Sequence, residues 1–128
     1  MVVDSSALVA ILREEPGHEP FLQKALSSDR TVVGASVAFE TAMVLSGRGH
    51  RDARSTLRGL LRSIGAEIVP FTEEHYEAAV SAFLRYGKGR HPAGLNFGDC
   101  MSYAFARVSG LPLLYTGDDF SKTDIQSA

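Results

Sequence analysis

A single cysteine, Cys100, leaves no partner for an intrachain disulfide and suits a reducing cytoplasm. Apolar runs are short. None reaches the roughly 18 residues of a membrane span, and Asp4 and the charges at 13–15 interrupt the early apolar stretch before it can read as a signal peptide. Charge of one sign is lacking too. The formal net charge is −2, so composition alone carries no nucleic-acid footprint. The four histidines, His18, His50, His75 and His91, are scattered and show no paired zinc-ligand spacing. No glycine stands five residues before Gly87 and Lys88, which excludes a phosphate-binding loop there. Repeats, low-complexity tracts and linkers are also missing. These absences leave one domain spanning 1–128, with an ordinary apolar content of 45% and enough length to bury a core without staples. The expectation is a soluble cytoplasmic protein with no membrane contact.

What is present is an alternation of strand and helix signals. Residues 1–3, "RTVVGA", "AEIVPF" and "LPLLYT" read as strands. "SSALVAILREE" reads as a helix capped by Ser5 or Ser6, and "HEPFLQKALSSD" as an amphipathic one. "SVAFETAMVLSGRG" is a helix stopping at Gly47 or Gly49, and "RDARSTLRGLLRSIG" one stopping at Gly65. Thr72 caps "EEHYEAAVSAFLRYG", and Asn96 caps "NFGDCMSYAFARVSG". Strands separated by helices predict an α/β domain with a mostly parallel sheet.

In such sheets, ligands bind outside the carboxyl ends of the strands. Asp4 follows the first strand, and Asp118 and Asp119 follow the last. Glu40 lies on the helix after the second strand, and Asp99 lies in the first turn of the helix before the last. Each acid also has a local reading. Asp4 can be a turn residue ahead of a helix, Asp99 the partner of Asn96 in a capping box, and Asp118 the cap of a short helical turn. Glu40 is harder to explain locally. Its neighbours one turn away are Ser36, Val37, Met43 and Val44, so it needs a distant arginine, a proton or a metal. Acids brought to one sheet edge would repel, and a hard divalent cation such as Mg²⁺ or Mn²⁺ removes that repulsion.

"VVDSSALVAIL", "SVAFETAMVL", "YGKGRHPAGLNFGDCMSYAFA" and "LLYTGDDFSKTDI" resemble the PIN domain, specifically the VapC toxins of bacterial toxin–antitoxin pairs. The likeness runs along essentially the whole chain. It implies a three-layer α/β/α fold with a sheet of about five strands, and a Mg²⁺-dependent endoribonuclease. By order and spacing, Asp4, Glu40, Asp99 and Asp118 match the family's catalytic and metal-binding acids, with Asp119 standing beside the last. Ser6 resembles the hydroxyl residue that supports the first acid. One or two Mg²⁺ ions, with Mn²⁺ a possible substitute, would activate water and stabilise the leaving oxygen. The products would carry 5′-phosphate and 3′-hydroxyl ends. The resemblance further implies a cognate VapB-like antitoxin and a homodimer.

RNA contact has two candidate elements. Arg51, Arg54, Arg58 and Arg62 form a stripe beside the apolar stripe Ala53, Leu57, Leu60, Leu61 and Ile64. Lys88, Arg90 and His91 lie in a glycine-rich loop ahead of the Asp99 helix, suited to gripping a phosphate backbone. Two other classes stay open on residues alone. One is a phosphoaspartate receiver or phosphatase, although the position two residues after Asp4 is Ser6 rather than an acid. The other is a catalytically inactive PIN-like interaction module.

Overall fold

The computed structural model describes all 128 residues. Four strands, β1 (Val2–Val3), β2 (Thr31–Gly34), β3 (Ala66–Val69) and β4 (Leu113–Leu114), pair in parallel in the order β3-β2-β1-β4. Six helices lie on the two faces of this sheet: α1 (Ser5–Leu12), α2 (Glu19–Ser27), α3 (Ala35–Gly47), α4 (Ala53–Ser63), α5 (Glu73–Tyr86) and α6 (Phe97–Ser109). Parallel strands covered on both faces are apolar throughout, not alternating. Val2, Val3, Val32, Val33, Leu113 and Leu114 are accordingly all buried.

The sheet has four strands, one fewer than expected. Along the outer edge of β4 the C-terminal residues make a single parallel bridge, Leu113 with Ser127. The Leu113 N–H donates to the Gln126 carbonyl at 2.9 Å, and the Ala128 N–H donates to the Leu113 carbonyl at 2.9 Å. That edge is therefore covered without a fifth strand forming.

Most predicted caps are found. Thr72 precedes α5 and its N–H donates to His75 Nδ1 at 3.2 Å. Asn96 caps α6. The start of α1 differs. Its cap is Asp4, in extended conformation, rather than Ser5 or Ser6. The Asp4 carboxylate takes the Ser6 N–H, so both serines enter the helix. That helix also ends at Leu12, short of the predicted Glu15, because the chain turns to a φ of 51° at Glu14.

Between β2 and α3 a glycine is required by packing. A Cβ on Gly34 would fall 1.9 Å from the Phe105 ring, which covers this turn. The chain leaves β1 towards β2 on one side and returns to β4 on the other. This change of direction opens a crevice at the carboxyl ends of β1 and β4, the usual place for a ligand in an open α/β sheet.

Candidate active site

Asp4 leads directly from β1 into this crevice and is only 3% exposed. Both of its carboxylate oxygens are held. Oδ2 accepts the Ser6 N–H at 2.9 Å and the Ser6 hydroxyl at 2.5 Å. Oδ1 accepts the Ser102 hydroxyl, on α6, at 2.5 Å. The Ser6 oxygen in turn accepts the Thr116 N–H at 3.1 Å, just beyond β4, so the two strand ends are hydrogen-bonded through Ser6.

Glu40 points from α3 to the first turn of α6. A Cβ on Gly98 would fall 2.3 Å from Glu40 Oε1 and 2.7 Å from Oε2, so the missing side chain makes the room this carboxylate occupies. Oε2 is buried and has no hydrogen-bond partner. The distant arginine that would explain Glu40 structurally is absent, since no ion pair of the protein includes it. Burial, and then the nearby Asp4 charge, push its pKa above the usual carboxylate range, with a Ser5 hydrogen bond opposing.

Asp99 plays two parts. Its N–H donates to Asn96 Oδ1 at 2.9 Å while its Oδ2 accepts the Asn96 N–H at 2.9 Å, a reciprocal capping box. Its carboxyl is nevertheless pushed up to about 6. Burial is the main cause, the Asn96 N–H opposes it, and the charges of Asp4, Asp119 and Glu40 add to it. A cap alone would not carry that last contribution.

The last acidic cluster divides by role. Asp118 and Asp119 are both exposed in the loop between β4 and a short 3₁₀ turn (Phe120–Lys122). Asp119 acts on Asp99 electrostatically, whereas Asp118 is not among the charges that do. Neither caps the turn with its side chain in the way expected of Asp118. Asp124 is structural. Its Oδ1 accepts the Tyr103 hydroxyl at 2.7 Å and its Oδ2 pairs with Arg85 at 3.1 Å, which ties the C-terminal segment to α6 and α5. Burial opposes ionisation of Asp124, but Tyr103 and then Arg85 outweigh it and hold the carboxyl below its usual range.

No three His, Cys, Asp or Glu side chains are close enough to enclose an ion by themselves. The chemistry of the cluster still fits a divalent cation. An unpartnered buried oxygen on Glu40, the raised carboxyl of Asp99 and the fixed Asp4 form a field of acids with no cation paired to it. Its donors are all oxygens, which favours Mg²⁺ or Mn²⁺ over zinc. Cys100, next to Asp99, is buried. Its thiol is pushed up to about 11 by burial and then by Asp99, so it is no nucleophile.

The basic candidates lie apart from one another. Residues 87–95 are a built turn rather than a loose loop: Gly87 bridges Leu95, and the Lys88 N–H donates to the Leu95 carbonyl at 3.0 Å. Lys88 and Arg90 are exposed, and the Arg90 guanidinium lies 5.2 Å from the Phe83 ring centre. His91 is engaged inside the turn, where its Nδ1 accepts the Ala93 N–H at 3.1 Å and its ring meets the edge of Tyr86. On α4 the apolar stripe is buried and the arginine stripe exposed. Ser102 and Gly98 escaped the sequence reading. The spacing of Ser102, one turn after Asp99 on the same helical face, was the available signal.

A family model described as the PIN domain matches residues 1–126. Ribonuclease VapC36 of Mycobacterium tuberculosis is 44% identical over 127 residues, covering 98% of this chain and 91% of that protein. Ribonuclease VapC of Mycolicibacterium smegmatis is 46% identical over 127 residues, covering 98% and 97%. The crystal structure of Mycobacterium tuberculosis VapC20, a sarcin-ricin loop cleaving toxin, superimposes with a TM-score of 0.78 at 22% identity, covering 99% of this chain and 97% of that one. The chain therefore belongs to the PIN-domain family, among its VapC ribonucleases.

Proposed function

We propose that this chain is a divalent-metal-dependent endoribonuclease, the toxin of a VapBC-type pair, and that Asp4, Glu40, Asp99 and an acid of the 118–119 pair form its catalytic set. The observation that carries this reading is the Glu40 oxygen, buried and unpartnered beside Asp4 and Asp99. Asp119 is the better candidate for the fourth acid, because its charge reaches Asp99. A bound Mg²⁺ or Mn²⁺ ion would supply positive charge against the phosphate oxygens and ready a water for attack.

The chain's own residues do the rest. Asp4, locked at both oxygens, gives a fixed ligand position. Asp99 is anchored by the Asn96 cap. Glu40, with its raised pKa and free Oε2, is the group best suited to accept a proton from the attacking water. Lys88 and Arg90, exposed at the turn before α6, are suited to hold the RNA backbone. The His91 ring keeps that turn in shape. A phosphoaspartate mechanism is disfavoured by the PIN-domain match over residues 1–126 and the VapC ribonucleases among the relatives.

The same reading brings two protein partners. The exposed apolar side chains Phe71, Tyr76, Val80, Phe83 and Phe97 flank a groove of about 600 Å³ across α5 and α6, a face suited to a second copy of the chain. The solution mass of the purified chain tests it, a monomer counting against the dimer. Between α3 and α4, a groove of about 710 Å³ combines exposed Phe39, Met43 and Ile68 with Arg51, Arg54 and Arg58. That pattern suits an amphipathic antitoxin segment carrying acids. Arg54→Glu with Arg58→Glu should weaken antitoxin capture, and unchanged affinity would exclude this groove.

Catalysis is tested on purified protein with labelled RNA. Mg²⁺ or Mn²⁺ should support cleavage and EDTA should abolish it. Asp4→Asn, Glu40→Gln and Asp99→Asn should each lower the rate roughly 100-fold or more, at or beyond the upper end of the range usual for outer-shell changes at metal sites. Full activity in chelator would remove the metal, and a folded variant with near-normal activity would remove that residue from the set.

A further inference from the structure

We propose that Ser102 is a positioning residue that fixes the Asp4 carboxylate for the cation, a role resting on the reading of Asp4 as a metal ligand. A hydroxyl within a helix can turn back onto its own backbone. Five in the α-helices do so: Ser27 to the Lys24 carbonyl, Thr41 to Val37, Ser46 to Ala42, Ser63 to Leu60 and Ser109 to Phe105. Ser102 lies in the middle of α6, one turn after Asp99, and does otherwise. Its hydroxyl reaches across 98 residues of sequence and donates to Asp4 Oδ1 at 2.5 Å.

The placement is costly to replace. Ser102 is fully buried and Asp4 nearly so, so water is poorly placed to take over the bond. Ser6 holds Oδ2 from the α1 side, and Ser102 holds Oδ1 from the α6 side. Donors on both oxygens fix the rotation of the carboxylate plane; Oδ2 spends both its lone pairs on Ser6, whereas Oδ1, held by Ser102 alone, keeps one for the cation. The bond also links β1 to the helix that carries Asp99 and Gly98, so three site residues share one register. Outer-shell partners of this kind typically contribute 10–100-fold to metal affinity.

The test is calorimetric titration of Mn²⁺ into the metal-free 128-residue chain, with melting in EDTA recorded alongside. Ser102→Ala should weaken Mn²⁺ binding by about 10–100-fold. Ser109→Ala removes the same hydroxyl from the same helix and should leave the affinity within about twofold, because that bond stays within α6. Ser102→Cys keeps the size with a weaker donor and should fall between parent and Ser102→Ala, which preserves the test if the alanine variant folds poorly. Equal Mn²⁺ affinity in the parent and both Ser102 variants would overturn the positioning role while leaving the metal reading intact. A parent that takes up no Mn²⁺ would overturn both.

Discussion

At residue 98 a side chain is missing where Glu40 needs room. Alanine in place of glycine stabilises a helix by about 0.5–1 kcal/mol. Against this, the new Cβ would meet the Glu40 carboxylate, the free end of a flexible side chain that can swing aside. Gly98→Ala should therefore melt no lower than the parent, yet bind Mn²⁺ more weakly and cleave RNA at least about tenfold more slowly, the lower end of the usual outer-shell effect. Normal activity with a raised melting temperature would show that Glu40 need not lie where it does. The contrast between these two residues explains what could be read in advance. A carboxylate with no cation within a helical turn announces itself in sequence, as Glu40 did. A glycine required by a side chain 58 positions earlier does not, because its cause is tertiary. Asp4 and Asp99 were legible only in part. Asp4 reads as either a turn residue or a site acid, and Asp99 as either the partner of Asn96 in a capping box or a site acid. Asp4 turns out to be the N-cap of α1, and Asp99 completes the box that Asn96 caps.

The turn joining α5 to α6 is where an element carries chemistry of its own. Its backbone is closed by the bridge between Gly87 and Leu95, so Lys88 and Arg90 project from a fixed frame rather than a mobile loop. Neither forms an ion pair. Replacing both with alanine should weaken RNA binding and reduce the slope of log affinity against log salt by about 1.4, two phosphate contacts at roughly 0.7 each for a single strand. The cleavage rate at saturating RNA should change much less. A binding curve unaltered across a salt series would make this turn a solvated surface. Helix positions were largely readable because caps such as Thr72 and Asn96 are local devices. The strands were less so. "LPLLYT" contains only two paired residues, since the length of a parallel strand depends on partners far away in sequence.

The whole molecule carries a cost for burying acids and, to a smaller extent, for bringing their charges together. Asp99 has a usual carboxyl pKa near 3.8 when unfolded and about 6 when folded, so the folded chain holds this proton more tightly. Stability is then lost as pH rises through the unfolded value, and the loss is complete above about 6. Glu40 is shifted in the same direction. Asp99→Asn keeps an acceptor for the Asn96 N–H and removes one charge. It also forfeits a favourable interaction with the α6 dipole, about 0.3–1 kcal/mol. The net expectation at pH 7 in EDTA is a variant melting about 2–6 °C above the parent, equivalent to roughly 1 kcal/mol. Near pH 4 the gap should close, because the parent's Asp99 is then protonated in the folded state. Added Mg²⁺ should stabilise the parent more than the variant, since binding to the folded state alone raises its stability by mass action. Thermal melts across pH, with EDTA and with Mg²⁺, read both halves. A variant less stable than its parent at pH 7 in EDTA, with equal Mg²⁺ shifts in the two proteins, would reduce Asp99 to a helix cap and dissolve the shared acidic pocket.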